Sequence, residues 1–166
     1  MPMLDAFIPK GAFEPESEKK LISKLTNLLL EWEGADPKNE VARSIAWVFL
    51  HRPEAVYVAG IRADEPRYKL VVSVPEGQLD NKRREGIVAA LTEAILDAEP
   101  KGRLRDPGRV WVFATQIPEG TWGGSGRVVK LADIAELVTG DRKLGEEHAR
   151  KRLAIVKAER EAVFAE

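Results

Sequence analysis

The chain has 166 residues, and its 44% hydrophobic and 32% charged residues are typical of one compact globular domain. Its 26 Lys and Arg nearly balance its 27 Asp and Glu, which argues against a protein that mainly coats nucleic acid or an anionic membrane. The chain has no cysteine and only two histidines, which excludes disulfides, thiolate nucleophiles, and metal sites built from cysteine or from several histidines.

The first half of the chain is predicted to form a strand, a helix and a second strand. Residues 2–8 are mostly apolar, and residues 14–16 (Glu-Pro-Glu) are typical of the first turn of a helix. The helix that follows has one apolar face, made of Leu21, Ile22, Leu25, Leu28, Leu29 and Trp32. The nearly continuous apolar run over residues 44–50 predicts a strand buried on both faces, and residues 55–59 predict a short return strand.

The second half of the chain predicts the same order of elements. Residues 68–74 and 109–116 have the composition of strands, and Asp80 is a suitable N-cap for a helix between them. The apolar positions of that helix again recur at helical spacing: Ile87, Leu91, Ala94, Ile95 and Leu96.

The two halves are copies of one pattern, related by a single constant offset without a gap. At this offset, helix and strand positions coincide in the pairs Leu21 and Ile87, Leu25 and Leu91, Leu29 and Ile95, Arg43 and Arg109, and Trp47 and Phe113. The pattern indicates a duplicated β-α-β unit, over about residues 1–60 and 67–138. The predicted fold class is therefore α/β (α+β), with a four-stranded sheet and two helices on one face.

Further segments follow the second copy of the strand–helix–strand pattern. Residues 120–126 form a glycine-rich turn, residues 131–138 favour a short helix, and residues 142–164 predict a charged helix. We therefore divide the chain into one domain over residues 1–140 and a C-terminal helical extension over residues 141–166.

The face of the sheet opposite the two helices is predicted to need a cover. Two crossovers place both helices on one side, yet the strands are apolar on both sides. An apolar face of this size is buried most economically by self-association, with about three sheets closing around an axis.

Pro2 is the residue with the clearest chemical potential. Methionine before a small residue is normally removed, and removal would leave Pro2 with a free secondary amine. An α-amino group has a pKa of about 7.7–8.0, and burial lowers it, so this nitrogen could act as a general base or attack a carbonyl. The alternative is that Met-Pro is a common start without functional meaning.

At this point the chain resembles the tautomerase superfamily, which includes 4-oxalocrotonate tautomerase, macrophage migration inhibitory factor, malonate semialdehyde decarboxylase and cis-3-chloroacrylic acid dehalogenase. The resemblance covers about residues 2–138 and rests on Pro2 at a strand start, the Pro-Lys-Gly turn at residues 9–11 and the duplicated unit. Residues 50–53 (Leu-His-Arg-Pro) resemble the decarboxylase branch, and residues 110–127 resemble the strand and hairpin of the dehalogenase branch. The resemblance implies a trimer, a pocket with the amino-terminal proline at its bottom, and small keto or enol acids held by arginines.

The chain departs from the family at several positions that the resemblance would assign to catalysis. Neutral or acidic residues stand where family members have arginine, tyrosine, glutamate or histidine: Ala12, Leu29, Val74, Glu76, Gln78, Phe113 and Gly124. Dehalogenation and hydratase-type decarboxylation are therefore disfavoured, whereas a simple proton-transferring tautomerase needs fewer groups.

Other residues are candidates for holding the substrate. An arginine binds a carboxylate with two parallel hydrogen bonds, a histidine can donate to a carbonyl, and aromatic side chains can close an apolar pocket. The candidates are Arg43, His51, Arg109, Phe113, Trp122 and Arg127. The alternatives are solvated arginines at strand starts, a turn histidine bonded to backbone, and a tryptophan packed against a neighbouring subunit.

The sequence thus predicts a cofactor-independent keto–enol tautomerase, an isomerase with Pro2 as general base and no metal. Its expected partners are a small keto or enol acid and two further copies of the chain, with neither nucleic acid nor membrane. A cytoplasmic location is expected, because no apolar run approaches the ~20 residues of a membrane span and the start lacks a signal peptide. The alternatives are a non-catalytic binding protein of the same fold and, less favoured, a related decarboxylase or hydratase.

Overall fold

The structure is a computed structural model that describes residues 2–163. The first unit consists of β1 (Met3–Phe7), α1 (Pro15–Glu33), α2 (Glu40–Ser44) and β2 (Trp47–His51). A small hairpin, β3 (Tyr57–Val58) and β4 (Ile61–Arg62), precedes the second unit, which consists of β5 (Tyr68–Pro75), α3 (Asn81–Ala98) and β6 (Val110–Ile117). The chain continues through β7 (Gly123–Gly124), β8 (Arg127–Val128), α4 (Leu131–Thr139) and α5 (Arg142–Val163).

The main sheet has four strands in the order β2-β1-β5-β6. The strands are parallel within each unit, and β1 and β5 pair antiparallel, so that the two units are related by an approximate two-fold rotation. Helices α1 and α3 pack side by side on one face, and α3 begins at Asn81, the position that the repeat pairs with Pro15 at the start of α1. The predicted fold class is confirmed.

One hydrophobic core lies between the sheet and these two helices. Alternate residues of β1 and β5 point into it, because successive side chains of a strand point to opposite faces. The helix positions that the repeat pairs are all buried there: Leu21, Leu25, Leu29, Ile87, Leu91 and Ile95. Burial of each such side chain contributes about 1.5–3 kcal/mol to folding.

The opposite face of the sheet carries large exposed side chains in the single chain. Trp111 is 67% exposed, Trp47 53%, Phe113 45% and Phe49 44%. The expectation that β2 would be buried on both faces is therefore wrong for one copy of the chain. We call the residues on this side of the four strands the open face; they are Met3, Asp5, Phe7, Trp47, Phe49, His51, Lys69, Val71, Ser73, Trp111, Phe113 and Thr115.

The segment before β2 contains a short helix that was not predicted, and its last residue, Ser44, is where the predicted strand began. The side chain of Asn39 accepts a hydrogen bond from the Ala42 amide at 3.0 Å, which is the geometry of a helix N-cap. This cap stabilises the short helix α2, and the strand begins only at Trp47.

Helices α4 and α5 pack against each other and against the first turn of the second unit. At Gly145 of α5, an added Cβ would lie 2.7 Å from the Ala132 carbonyl oxygen of α4, so only glycine permits this approach. The predicted helix over residues 142–164 is seen to Val163, and residue 164 lies outside the described residues. Among the helices of residues 2–163, none combines the length and the apolar character that a bilayer span requires.

Candidate active site

The topology brings three separate parts of the chain to one edge of the sheet. Pro2 precedes β1, and because β5 runs antiparallel to β1, the turn with Gln78 that follows β5 lies at the same edge. Helix α1 returns from the far end of β1, so its last residue, Glu33, also arrives here. The Pro2 carbonyl accepts a hydrogen bond from the Trp47 amide at 3.1 Å, which fixes Pro2 beside the start of β2.

A cavity of about 480 Å³ opens at this edge, and the buried Pro2 forms part of its wall. We call it the Pro2 cavity. Its wall combines the ends of α1 and α2 with α4 and α5, and consists of Pro2, Leu30, Glu33, Gly34, Ala35, Ala42, Ile45, Gln78, Ile134, Ala135, Val138, Thr139, Leu144, Glu147, His148 and Lys151. The volume is that of an ordinary small-molecule site. The C-terminal helices therefore contribute half of the wall.

Glu33 is a buried acid in this wall. It is 5% exposed, and its Oε1 atom has no hydrogen-bond partner among residues 2–163. Burial raises the pKa of Glu33 from 4.5 to about 7, against the opposing positive charges of the amino terminus and of Arg83. Near neutral pH this carboxyl group can therefore both give and take a proton.

His148 and Gln78 form a second polar pair in the wall. Nε2 of His148 lies 3.2 Å from Oε1 of Gln78, so the imidazole N–H donates to the amide oxygen. Burial, with the nearby charges of Arg152 and Arg83, lowers the pKa of His148. The imidazole is thus neutral at pH 7.

Arg152 of α5 holds the turn that carries Gln78. Its Nε donates to the Gly77 carbonyl at 2.8 Å, Nη2 to the Gln78 carbonyl at 3.1 Å, and Nη1 to the Asp80 carboxylate at 3.0 Å. Gly77 has a φ of 97°, and an added Cβ would lie 3.2 Å from the Arg152 Cβ, so glycine allows α5 to pack directly on this turn.

The rim of the Pro2 cavity is charged but balanced. Lys151 binds Glu147 one helical turn earlier, with 2.6 Å between Nζ and Oε1. Of the described residues that line the cavity, Lys151 is the only lysine or arginine. Within residues 2–163, His, Asp and Glu side chains form no group of three or more that could hold a metal ion.

The second unit has an equivalent edge, where the matching acid forms an ion pair with an arginine. Glu99 is the repeat counterpart of Glu33, and its carboxylate binds Arg109 through two hydrogen bonds of 2.5 and 2.6 Å. The Tyr68 hydroxyl, in the position that corresponds to Pro2, donates to Glu99 at 2.8 Å. Although burial opposes it, hydrogen bonding from Arg109 and Tyr68 holds the pKa of Glu99 below its usual value.

The first unit does not use its corresponding arginine in this way. Arg43 matches Arg109 in the repeat, but its Nη1 donates to the Asn27 side chain at 2.6 Å and to the Pro37 carbonyl at 3.0 Å. Arg43 is exposed on α2 and does not line the Pro2 cavity, although Ala42 does. Equivalent acids therefore differ between the two units. Glu99 forms an ion pair with Arg109, whereas the carboxylate of Glu33 has no arginine partner among residues 2–163.

The remaining predicted substrate-binding residues also lie away from Pro2. His51 donates from Nε2 to Asp5 at 2.6 Å on the open face, where Phe113 is also exposed. Trp122 is half-buried in the loop before β7, and Arg127 is exposed on β8. Within one chain none of the six lines the Pro2 cavity, and Arg109 is committed to Glu99. As substrate contacts they stay predictions, which require a neighbouring copy of the chain.

Glu33 and His148 were missed by the sequence analysis, and only Glu33 had a usable signal. It continues the four-residue spacing of Leu21, Leu25 and Leu29, so it is a charged residue on the apolar face of α1. Glu99 continues the matching series in α3. His148 lies on a charged helix outside the repeat and carries no comparable signal.

Comparison with known proteins finds a similar fold among solved structures. No protein-family model and no curated protein matches the chain. A member of the cis-3-chloroacrylic acid dehalogenase family superposes with a TM-score of 0.63 at 18% identity, over 89% of this chain and 99% of that one. A native fused 4-OT gives 0.60 at 21% identity, over 76% of this chain and 94% of that one. A protein solved after inactivation by 2-oxo-3-pentynoate gives 0.62 at 20% identity, with the same two coverages.

The three structures match over 94–99% of their own length and over 76–89% of this chain. The arrangement of the four strands, the duplication and the position of Pro2 at the start of β1 agree with the resemblance drawn from the sequence. The chain therefore has the fold of the tautomerase superfamily.

Proposed function

We propose that this protein is a cofactor-independent keto–enol tautomerase in which the Pro2 nitrogen is the general base. The observation that supports the proposal is the position of Pro2, buried in the wall of a small-molecule cavity whose wall also contains the buried acid Glu33. The proposal requires removal of Met1, a residue that lies outside the described part of the chain. Removal converts the Pro2 nitrogen from an amide into a secondary amine.

The chemistry needs few groups. In the ketone-to-enol direction the neutral Pro2 amine takes a proton from the carbon next to the carbonyl, the C–H electron pair becomes the C=C bond, and the C=O π pair moves to the oxygen, which gains a proton. The reverse path converts the enol into the ketone. A largely apolar wall lowers the pKa of an amine, because burial disfavours its charged form. A base whose pKa lies near the working pH accelerates such a transfer by about 10²–10⁴-fold.

The proposed substrate is a small enol or keto acid. Lys151 at the rim is the cation that a substrate carboxylate would meet within one chain. Its charge is shared with Glu147, so this binding is weaker than the paired arginines that the resemblance implied. The absence of an arginine from the described lining residues is also the observation that favours the alternative, a non-catalytic binding protein of this fold.

The proposed assembly is a homotrimer that buries the open face. Two fused 4-OT structures with this fold are described as wild-type trimers, one asymmetric and one symmetric. Exposed aromatic residues on a sheet face are typical of an interface, and an interface around a three-fold axis would cover all three sheets.

Trp111→Asp is expected to dissociate the assembly into single chains. The side chain of Trp111 is 67% exposed in one copy and lies at the edge strand of the open face. Three unpaired carboxylates buried in the interface would each cost several kcal/mol. Sedimentation equilibrium measures the mass, and Leu104→Asp is the matched control, since Leu104 is 81% exposed but lies off the sheet. A wild-type protein that sediments as one chain would contradict the proposed trimer.

Pro2→Ala is expected to lower the rate of phenylenolpyruvate ketonisation by about 10²–10⁴-fold. The variant loses the secondary amine held by the ring, while the cavity wall loses only a small apolar group. The decay of the enol absorbance measures the rate, and Pro37→Ala is the control, because Pro37 does not line the cavity. Equal rates in wild type and Pro2→Ala, or no activity in either, would favour the binding-protein alternative.

A further inference from the structure

The Pro2 cavity holds two groups that can exchange protons, and the proposed mechanism uses only one of them. Glu33 shares the wall with Pro2, is nine-tenths buried, and leaves Oε1 without a partner in residues 2–163. A buried polar atom without a partner costs about 1–3 kcal/mol, so such atoms are uncommon in folded proteins. The cost is explained if Oε1 bonds to a molecule that enters the cavity.

The duplication supplies an internal comparison for this acid. Glu99, its counterpart, is satisfied by two hydrogen bonds from Arg109 and one from Tyr68, and is purely structural. The first unit contains the matching arginine, Arg43, but directs it to Asn27 and Pro37. The position that matches Tyr68 is Pro2, which has no hydroxyl. Both structural partners of the acid are therefore missing on the side where the cavity opens.

We infer that Glu33 is a catalytic residue that exchanges a proton with the substrate oxygen while Pro2 exchanges one with the substrate carbon. This role rests on the proposed tautomerase function and extends it to a second group. It is distinct from substrate binding by arginine, because the group acts as a proton donor and acceptor.

The proton balance of the step closes without any added reagent. In the ketone-to-enol direction, the Pro2 nitrogen takes the proton from the α-carbon, the C–H electron pair becomes the new C=C bond, and the π pair of the C=O bond moves to the oxygen. The Glu33 carboxyl gives its proton to the carbonyl oxygen, so the enol leaves behind an ammonium and a carboxylate. In the enol-to-ketone direction each proton returns by the same path. Between turnovers in one direction, exchange with solvent water moves one proton between Pro2 and Glu33 and restores the starting state. The pair holds one exchangeable proton in either state, and its net charge is zero in both.

The surroundings of Glu33 permit this exchange near neutral pH. Arg83 of α3 faces it, with Nη1 bonded to the Glu33 carbonyl at 3.0 Å rather than to the carboxylate. From α5, His148 is neutral and Lys151 is paired with Glu147 at the rim. The parts of α2 and α4 that line the cavity contribute no titratable side chain. The positive charge of the amino terminus also favours the carboxylate, as Arg83 does. Burial outweighs both charges and raises the pKa of Glu33 to about 7.

Glu33→Gln tests the inference, with Glu31→Gln as matched control on the same helix, where Glu31 is exposed and does not line the cavity. We expect Glu33→Gln to lower kcat for phenylenolpyruvate by about 10²-fold or more and to remove the limb of the pH–rate profile near pH 7. Glu31→Gln is expected to keep the wild-type rate and profile. Glu33→Asp keeps the carboxyl group, so it should retain the pH limb at a reduced rate, which a merely structural role would not produce.

A second measurement separates this inference from the proposed function. Covalent reaction with 2-oxo-3-pentynoate, which inactivates a protein of this fold, is followed by intact mass and peptide mapping to locate the modified residue. Label on the Pro2 nitrogen reports a free amine there, and Glu33→Gln should still be labelled at Pro2. If Pro2→Ala is inactive while Glu33→Gln keeps the full rate and the pH limb, the role of Glu33 is overturned and the tautomerase proposal stands. If wild type neither reacts with the label nor ketonises the enol, both are overturned.

Discussion

Arg109→Ala is expected to lower the free energy of unfolding by about 3 kcal/mol, the lower end for a broken buried ion pair. The Glu99 carboxylate loses both hydrogen bonds from Arg109 and keeps as its cation only the more distant Arg103, 3.5 Å away. Arg109 and Glu99 are each 4% exposed at their side chains, and the guanidinium also donates to the Leu104 carbonyl at 2.8 Å. The bonded Glu99 joins the end of α3 to the start of β6, so its loss loosens the second unit. Chemical denaturation at pH 7 measures the change.

Arg105→Ala is the matched control for Arg109→Ala. Arg105 also binds two acids, Glu93 and Asp97, but its side chain is 49% exposed. Exposed ion pairs of this kind contribute about 0–1 kcal/mol. Equal losses of stability in the two variants would contradict a structural role for the buried pair, and a full loss of activity in stable Arg109→Ala would instead indicate a direct role in the site.

Glu33→Gln is expected to raise the free energy of unfolding relative to wild type at pH 7 and above. This gain should be about 3 kcal/mol larger there than near pH 4.5. The folded protein holds a proton on Glu33 up to about pH 7, whereas the unfolded chain releases it near pH 4.5. Between these values the folded state binds more protons, so wild-type stability falls as the pH rises through this window. The glutamine variant has no ionisable group at this position, so its free energy of unfolding lacks the decrease that Glu33 causes in wild type.

Denaturation curves of wild type and Glu33→Gln between pH 4.5 and 7 measure this difference. All other ionisable groups are the same in the two proteins, so their contributions to the pH dependence of stability cancel in the comparison. Glu31→Gln, on the exposed side of the same helix, should follow wild type throughout. Parallel curves for wild type and Glu33→Gln would contradict the raised pKa of Glu33. A stabilising change at a cavity residue would also agree with a group kept for function at the expense of stability.

The fold could be predicted because its information is local and repeated. The four-residue spacing of Leu21, Leu25 and Leu29 predicts the buried face of α1, and the same spacing in the second copy, from Ile87 to Ile95, predicts α3. Helix α2 was missed because it is only five residues long and its N-cap depends on one side chain, Asn39. Duplication turned a weak local pattern into a reliable prediction of the sheet and its helices.

The candidate site was predicted only in part, because it depends on contacts between distant segments. Pro2 was identified from its position in the chain. The residues that surround it in the cavity were not predicted. The part of the wall that α5 forms depends on Arg152, which donates hydrogen bonds to the backbone carbonyls of Gly77 and Gln78. Every residue has a backbone carbonyl, so such a contact cannot be predicted from the sequence. Arg109 was predicted to bind the substrate, but in the structure it forms an ion pair with Glu99. The sequence alone does not distinguish a substrate-binding arginine from one that stabilises the fold.

The central claim is that the Pro2 nitrogen is a free amine in the cavity, and ¹⁵N NMR of protein labelled at proline tests it most directly. We expect intact mass to show that Met1 is absent, and the Pro2 resonance to titrate in one step between about pH 5 and 10. In Glu33→Gln that step should move to lower pH, because a nearby carboxylate favours the protonated amine. A Pro2 resonance at the position of a tertiary amide, unchanged over this range, would contradict the account.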